Sequence, residues 1–447
     1  MGVPALKKIF LLSLGCPRNL TDSEVLLASL QKEGFSIVDE AEGADIATVN
    51  TCGFIEDAKK ESIDAIMALA DLKKQGAISR IIVCGCLSQR YPNELIEEVG
   101  EIDGIFGTSD LAVLPGMIET IMDGQKIRHV SADPDPLRAE PLDRRLLTPE
   151  HYAYLKIQEG CSNRCSYCVI PSLKGAHKSR TVDSVLREAE SLKRSYGVKE
   201  LILIGQDITS FGEDRGSSPE LASLVRKLSP VMEDGWVRLL YAHPARFSDE
   251  LIDVIAGTPN VCKYVDLPIQ HINNRILGMM NRAVTRKDIE RLIHKVRERI
   301  EGVTIRTSII VGFPGETDEE FGELMQFLKD TRFERLGCFT YSREEGTPAA
   351  GFEGHLPEEV KKERFDAVMG QQQEISLENN LSLVGKTLKV LVDEASSARG
   401  GHFVGRGEMD APEVDGVVYI SGDAKPAEFS RVRITGSYEY DLVGEAE

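Results

Sequence analysis

No stretch of the chain is apolar for long enough to cross a bilayer. Apolar runs such as residues 9–12 and 201–204 fall far short of the roughly 20 residues a spanning helix needs. The opening Met-Gly-Val-Pro lacks the charged, apolar, small-residue order of a secretory leader. Internal repeats and low-complexity tracts are missing too. These absences point to a cytoplasmic protein with no membrane partner. Positive charge is also scarce: 53 Lys and Arg stand against 72 Asp and Glu, a net charge of −19. An excess of that size repels polyanions and favours a basic partner, so nucleic acid is not the preferred substrate.

What is present is cysteine. Nine thiols in a large chain of this type are not a disulfide framework, because the compartment keeps them reduced; metal ligation or catalysis is the expectation. The chain alternates short apolar strands with amphipathic helices, an α/β pattern that implies parallel sheets. Over 6–125 the strands are expected at 8–14, 45–51 and 80–84 and the helices at 22–33, 55–74 and 109–123, a flavodoxin-like parallel-sheet domain. A polar stretch around Asp133-Pro134-Asp135-Pro136 reads as a linker over 126–146. Over 147–379 six further strands, the first at 153–158, alternate with helices and suggest a partial (β/α)6 barrel with its site at the strand C-termini. Thr317 to Glu320 forms a capping-box pattern that places Gly312-Phe313-Pro314-Gly315 in the turn before a helix. Residues 357–380 read as a connecting helix, and 380–446 as a small antiparallel β-barrel.

The densest chemical signal is Cys161-Ser162-Asn163-Arg164-Cys165-Ser166-Tyr167-Cys168, directly after the first barrel strand. Three thiolates on one short loop can hold three irons of a 4Fe-4S cubane and leave the fourth open to a substrate or cofactor. Zinc is the competing reading. It wants a fourth ligand, for which His177 is the nearest candidate. Cys16, Cys52 and Cys86 each follow a strand end in the N-terminal domain, where a parallel sheet can bring three loops to one metal site. Cys84, Cys262 and Cys338 read as core residues. His243, Gln270 and His271 lie at strand ends facing the barrel site, without an assigned role.

The C-x3-C-x2-C loop at the head of a β/α barrel resembles the radical S-adenosylmethionine (SAM) superfamily. The resemblance implies that Cys161, Cys165 and Cys168 ligate a SAM-binding 4Fe-4S cluster whose reduction cleaves SAM to a 5′-deoxyadenosyl radical. It also implies that Tyr167 packs near the adenine and that Gly312, Phe313, Pro314 and Gly315 form the glycine-rich turn beside SAM. Gly205-Gln206-Asp207 departs from the superfamily's Gly-Gly-Glu, and no contact is transferred to it. The runs Ser13-Leu14-Gly15-Cys16-Pro17-Arg18-Asn19, Asn50-Thr51-Cys52-Gly53-Phe54 and Cys84-Gly85-Cys86-Leu87-Ser88 resemble the methylthiotransferase family. There Cys16, Cys52 and Cys86 would hold a second, auxiliary 4Fe-4S cluster carrying the sulfur, and the C-terminal barrel would be a TRAM domain. His151-Tyr152-Ala153-Tyr154, Cys168-Val169-Ile170-Pro171-Ser172, Gln206-Asp207-Ile208-Thr209 and Asp410-Ala411-Pro412-Glu413-Val414-Asp415-Gly416 resemble the family's RimO branch. That branch methylthiolates the β-carbon of an aspartate in small-subunit ribosomal protein S-twelve, using SAM as radical source and methyl donor, with an electron donor such as flavodoxin or ferredoxin. Methylthiolation of adenosine in tRNA, the family's other branch, is the alternative activity, and a non-catalytic cluster-binding protein is a third reading. Residues 380–447 hold seven Lys and Arg against twelve Asp and Glu, which suits a basic protein better than a phosphate backbone.

Overall fold

The computed structural model describes residues 7–132, 134, 143–216, 219–398 and 402–447. Asp133, Asp135 and Pro136 of the expected linker, like the first six residues, lie outside the described residues. The chain divides into two compact units: residues 1–147, 154–163 and 168–191, and residues 148–153, 164–167 and 192–447. Among the described residues no helix is long and apolar enough to cross a membrane.

The first unit is built on a six-stranded parallel sheet: β1 (Lys8–Ser13), β2 (Ser36–Val38), β3 (Ile46–Thr51), β4 (Arg80–Gly85), β5 (Gly104–Phe106) and β6 (Ile127–His129), in the order β2-β1-β3-β4-β5-β6. Side chains alternate between two faces. Ala47, Val49, Ile81 and Val83 pack with Ile66, Leu69 and Ala70 of α2 (Glu56–Lys74) and with Leu95. Ile46, Ile82 and Cys84 pack on the other face with Leu26 and Leu30 of α1 (Pro17–Lys32) and with Leu114, Ile118 and Ile121. Cys84 is therefore core, as its place within a strand suggested. α1 begins at Pro17, five residues before the expected start, because proline at the first helical position costs no hydrogen bond and carries a φ suited to the helix. The short helix α3 (Cys86–Arg90) opens directly on a cysteine.

β7 (Tyr152–Lys156) runs from one unit into the other. In the second unit β8 (Glu200–Ile204) and β9 (Trp236–Leu239) pair in parallel, as do β10 (Tyr264–Asp266), β11 (Thr304–Val311) and β12 (Arg335–Thr340). With β7 these are the six expected strands. The turn before the helix Asp318–Thr331 carries the expected capping box, Thr317 and Glu320 bonding each other's backbone N–H. The connecting helix Glu358–Leu381 leads to a closed five-stranded barrel, residues 387–446. The barrel is antiparallel except at one seam, where Val418–Ser421 runs parallel to Leu442–Ala446.

Ion pairs buried within this unit join the barrel to the strand starts. Glu200 is fully buried between Arg238 and Arg406, at 2.6 and 2.7 Å. Arg406 also reaches Asp393, which contacts His151 at 2.7 Å. Asp415 accepts from the Tyr264 hydroxyl at 2.6 Å and Asp410 from Arg335 at 2.6 Å. Burial opposes the Glu200 charge, but the two guanidiniums outweigh it and hold the carboxyl below the usual carboxylate range. A depressed folded pKa stabilises the fold above the unfolded value, and that contribution vanishes as pH falls through the depressed one. Acid unfolding of the second unit, followed by circular dichroism, is therefore expected to begin below about pH 5. Glu200→Gln should remove the Glu200 part of that pH dependence while costing about 3–5 kcal/mol at neutral pH, since among the described residues Arg238 is left with no counter-charge and Arg406 with Asp393 alone.

Candidate metal and cofactor centre

The register of the first sheet determines where three thiols emerge. Ser13 lies beside Asn50, Asn50 beside Cys84 and Thr51 beside Gly85, so β1, β3 and β4 end level with one another. Cys52 and Cys86 are the next residues after β3 and β4, and Cys16 follows β1 by three. The order β2-β1-β3-β4 changes direction between β1 and β3, and ligands of open parallel sheets bind at such a switch point.

The words around these cysteines form the polar floor beneath them. Asn19 donates to the Thr51 carbonyl (2.9 Å) and the Leu14 carbonyl (3.2 Å), and its Oδ1 lies 3.8 Å from Cys86 Sγ. Asn50 donates to the Asn19 carbonyl (3.0 Å) and to Ser23 Oγ (2.9 Å). Ser62 accepts from the Cys52 N–H and donates to the Cys52 carbonyl, both at 2.9 Å. Close approach of the loops needs glycine at two positions. Gly85, at φ +98°, would carry a Cβ 2.3 Å from Asn50 Oδ1, and a Cβ on Gly53 would stand 2.9 Å from the Leu87 backbone.

Electrostatics separate the three thiols. Burial opposes ionisation of Cys16, but the Arg18 charge, the Asn19 N–H and Lys174 outweigh it and bring its pKa below that of an ordinary thiol. Burial pushes Cys52 up, and the nearby Cys16 charge adds to it. Burial pushes Cys86 up to about 12, against the opposing pull of Lys174. A bound metal would replace these protons. Cys86 also packs against Val169 and Leu173, so it touches the residue that follows Cys168.

The C-x3-C-x2-C loop is pinned residue by residue. In the first unit the Cys161 N–H bonds the Gly175 carbonyl at 3.1 Å. In the second, Ser166 is held through its N–H to Met280 (3.0 Å) and its hydroxyl to Met279 (2.7 Å), and Asn281 donates to the Arg164 carbonyl at 2.6 Å. Arg282, which no motif flagged, places Nη1 3.7 Å from Cys165 Sγ and donates Nη2–H to the Pro268 carbonyl at 2.7 Å. Burial disfavours its charge, but Tyr167 and Cys165 keep its pKa above the ordinary value. A guanidinium beside this thiol suits an anionic sulfur ligand.

Tyr167 and the Gly312 turn come together. Tyr167 packs on a cluster containing Phe313, Ile276, Met280 and Tyr341. Phe313 is fully buried, edge-on to Tyr341 with 5.4 Å between ring centroids. Gly312 and Gly315 both have positive φ, and Glu316 accepts from the Gly312 and Phe313 N–H groups, which ties the turn into one conformation. Two side chains at neighbouring strand ends are locally engaged. His243 Nδ1 accepts from the Ala245 N–H (3.2 Å), and His271 Nδ1 from the Asn273 N–H (3.0 Å). Burial, reinforced by Arg282, pulls the His243 pKa down to about 3, so its ring is neutral at physiological pH. Tyr241 and Gln270 take positive φ (68° and 72°), a strain that sharpens the turns at these strand ends.

The zinc reading needed a fourth ligand, but His177 Nε2 shares a 3.0 Å hydrogen bond with Ser179 Oγ. Among the described residues no three or more His, Cys, Asp or Glu side chains converge on a single-ion site. Thiols on three separate loops suit a four-iron cluster, which is wider than one ion. Two of the three acids of the 410–415 stretch, Asp410 and Asp415, face strands of their own unit, so the net charge of the C-terminal barrel overstates the acidity of its exposed face.

Comparison with known proteins adds three findings. Residues 155–328 match the radical SAM superfamily, 8–107 the uncharacterized protein family UPF0004, and 384–446 the TRAM domain. A relative from Desulfitobacterium hafniense (strain Y51) is 45% identical over 444 residues, covering 98% of either chain. One from Geobacter sulfurreducens is 46% identical over 442 residues, covering 99% of each. Both are described as ribosomal protein uS12 methylthiotransferase RimO. Among solved structures, the radical SAM methyltransferase TsrM from Kitasatospora setae shares the fold. Its TM-score is 0.56 at 17% identity, over 77% of this chain and 74% of that one.

Proposed function

Because the chain belongs to the family of ribosomal protein uS12 methylthiotransferases, RimO, we propose that it attaches a methylthio group to the β-carbon of an aspartate in that ribosomal protein. The observation that carries this reading is the placing of Cys16, Cys52 and Cys86 at the switch point of the first sheet, with Cys86 packed on the residue after Cys168. In this reading Cys16, Cys52 and Cys86 hold an auxiliary 4Fe-4S cluster, and Cys161, Cys165 and Cys168 hold the SAM-binding one. The two clusters and SAM would supply reductive radical chemistry, a carried sulfur and a methyl group.

The protein's own residues provide charge, shape and exclusion of water. Arg282 and Arg18 each stabilise an anionic sulfur at one thiol set. The turn from Gly312 to Gly315, its N–H groups held by Glu316 and Gly354, offers the Gly312 and Pro314 carbonyls to SAM, with Tyr167 as the adjoining apolar wall. The neutral His243 and the kinked strand ends at Tyr241 and Gln270 shape the cavity in which a C–H bond is held close to its reaction partner. An electron donor of the flavodoxin or ferredoxin class completes the reaction. The domain limits proposed are 6–125, 147–379 and 380–446, joined by 126–146.

The intact mass of the twelfth small-subunit ribosomal protein, from cells with and without this gene, tests the reading. A methylthio increment that disappears with the gene is the expected result. An unchanged mass, with loss of methylthio-adenosine from tRNA instead, would overturn the ribosomal substrate.

A further inference from the structure

Four charged side chains gather in the first unit, Lys174 and Glu159 buried and Lys156 and Asp22 partly so, where Lys156 and Lys174 share the carboxylates of Asp22 and Glu159. Lys156 takes the near positions, bonded to Asp22 and 2.7 Å from Glu159 Oε2. Lys174, only 5% exposed, stands further from both, 3.3 Å from Asp22 and 3.8 Å from Glu159. A buried ammonium is costly unless opposite charge surrounds it, and the close contacts here belong to Lys156. The surroundings of Lys174 show what else it serves. It ends the short helix Ile170–Lys174, whose Leu173 packs on Cys86, and its partner Asp22 lies on the helix that starts directly after Cys16. Lys174 is thus the residue directly after one that touches Cys86.

We propose that Lys174 is a positioning residue for the Cys16, Cys52 and Cys86 site, where its ammonium offsets the thiolate charge and holds a small anionic sulfur, hydrosulfide or an alkylthiolate, at the open iron. The proposal rests on the reading of those three cysteines as cluster ligands. Asp22 and Glu159 set the direction of the ammonium, and Lys156 satisfies their remaining charge. The sulfur binds as an anion, and no electron moves in this step.

The test uses the full-length chain carrying Cys161→Ala, Cys165→Ala and Cys168→Ala, so that one cluster alone can assemble. After anaerobic reconstitution, three quantities are measured: iron content, the cluster's midpoint potential by electron paramagnetic resonance, and its affinity for sodium hydrosulfide. Adding Lys174→Met should leave iron content unchanged, move the potential to a more negative value, and weaken hydrosulfide binding about tenfold, as expected for a lost charge-assisted hydrogen bond. Lys174→Arg should restore both. If Lys174→Met gives the parent's potential and hydrosulfide affinity, the proposal is overturned. Should that variant fail to assemble a cluster, equal hydrosulfide affinities for Lys174→Gln and Lys174→Arg would overturn it instead. A parent chain that assembles no cluster refutes the cysteine assignment itself, and does so before Lys174 is touched.

Discussion

Replacing Cys16, Cys52 and Cys86 together by alanine should abolish methylthio product while SAM cleavage to 5′-deoxyadenosine continues, and should halve the iron bound per chain. The expectation follows from how the two thiol sets are held. The first set hangs from the ends of β1, β3 and β4, over a floor made by Asn19, Asn50, Ser23 and Ser62 that does not depend on the thiols. The second lies on a loop fixed by Gly175, Met279, Met280 and Asn281. Removing three sulfur atoms from the first set therefore leaves the anchors of the second in place. The converse triple, at Cys161, Cys165 and Cys168, should lose SAM cleavage itself. Product formed at the parent rate by the first triple would disprove the sulfur-carrying role of those cysteines.

Arg144→Met should destabilise the first unit by about 3–5 kcal/mol, the usual cost of breaking a buried ion pair from one side. The Arg144 guanidinium, 1% exposed, bonds Glu24, lies 2.9 Å from Glu188 and donates to the Tyr154 carbonyl at 2.5 Å. Glu24 and Glu188 are equally dry, and Glu188 keeps only Arg180 when Arg144 is gone. Urea unfolding of the purified protein measures the loss. Adding Glu24→Gln to Arg144→Met should recover part of it, because the stranded charge and not the missing contact dominates. A loss under about 1 kcal/mol would show that water reaches the carboxylates after the substitution.

The contrast between these two sites shows what a sequence can disclose. The longer strands of both units and the strand-end or loop positions of all six candidate cysteines follow from apolar alternation and local turn signals, which act over a few residues. The helix after Cys16 was expected to start at residue 22; an N1 proline outweighed the apparent polar start. The three-residue strands β2, β5 and β6 are too short to give a period. The charged partners were beyond reach for another reason: Glu24 and Arg144 are 120 residues apart, Glu200 and Arg406 206. Nothing local marks which acid meets which base. Arg282 was silent for the same cause, since it meets Cys165 through the tertiary fold.

The salt links between the C-terminal barrel and the strand starts of its own unit have a metric consequence. Arg238 reaches the Glu408 carbonyl, Arg406 reaches Glu200, Arg335 reaches Asp410, and Trp236 packs against the Phe429 ring. The barrel is fixed to the starts of these strands, while Tyr241, Gln270 and the Gly312 turn lie at their far ends, a strand's length away. Under the proposed function, whatever part of a partner the barrel held would have to lie that far from the carbon to be modified.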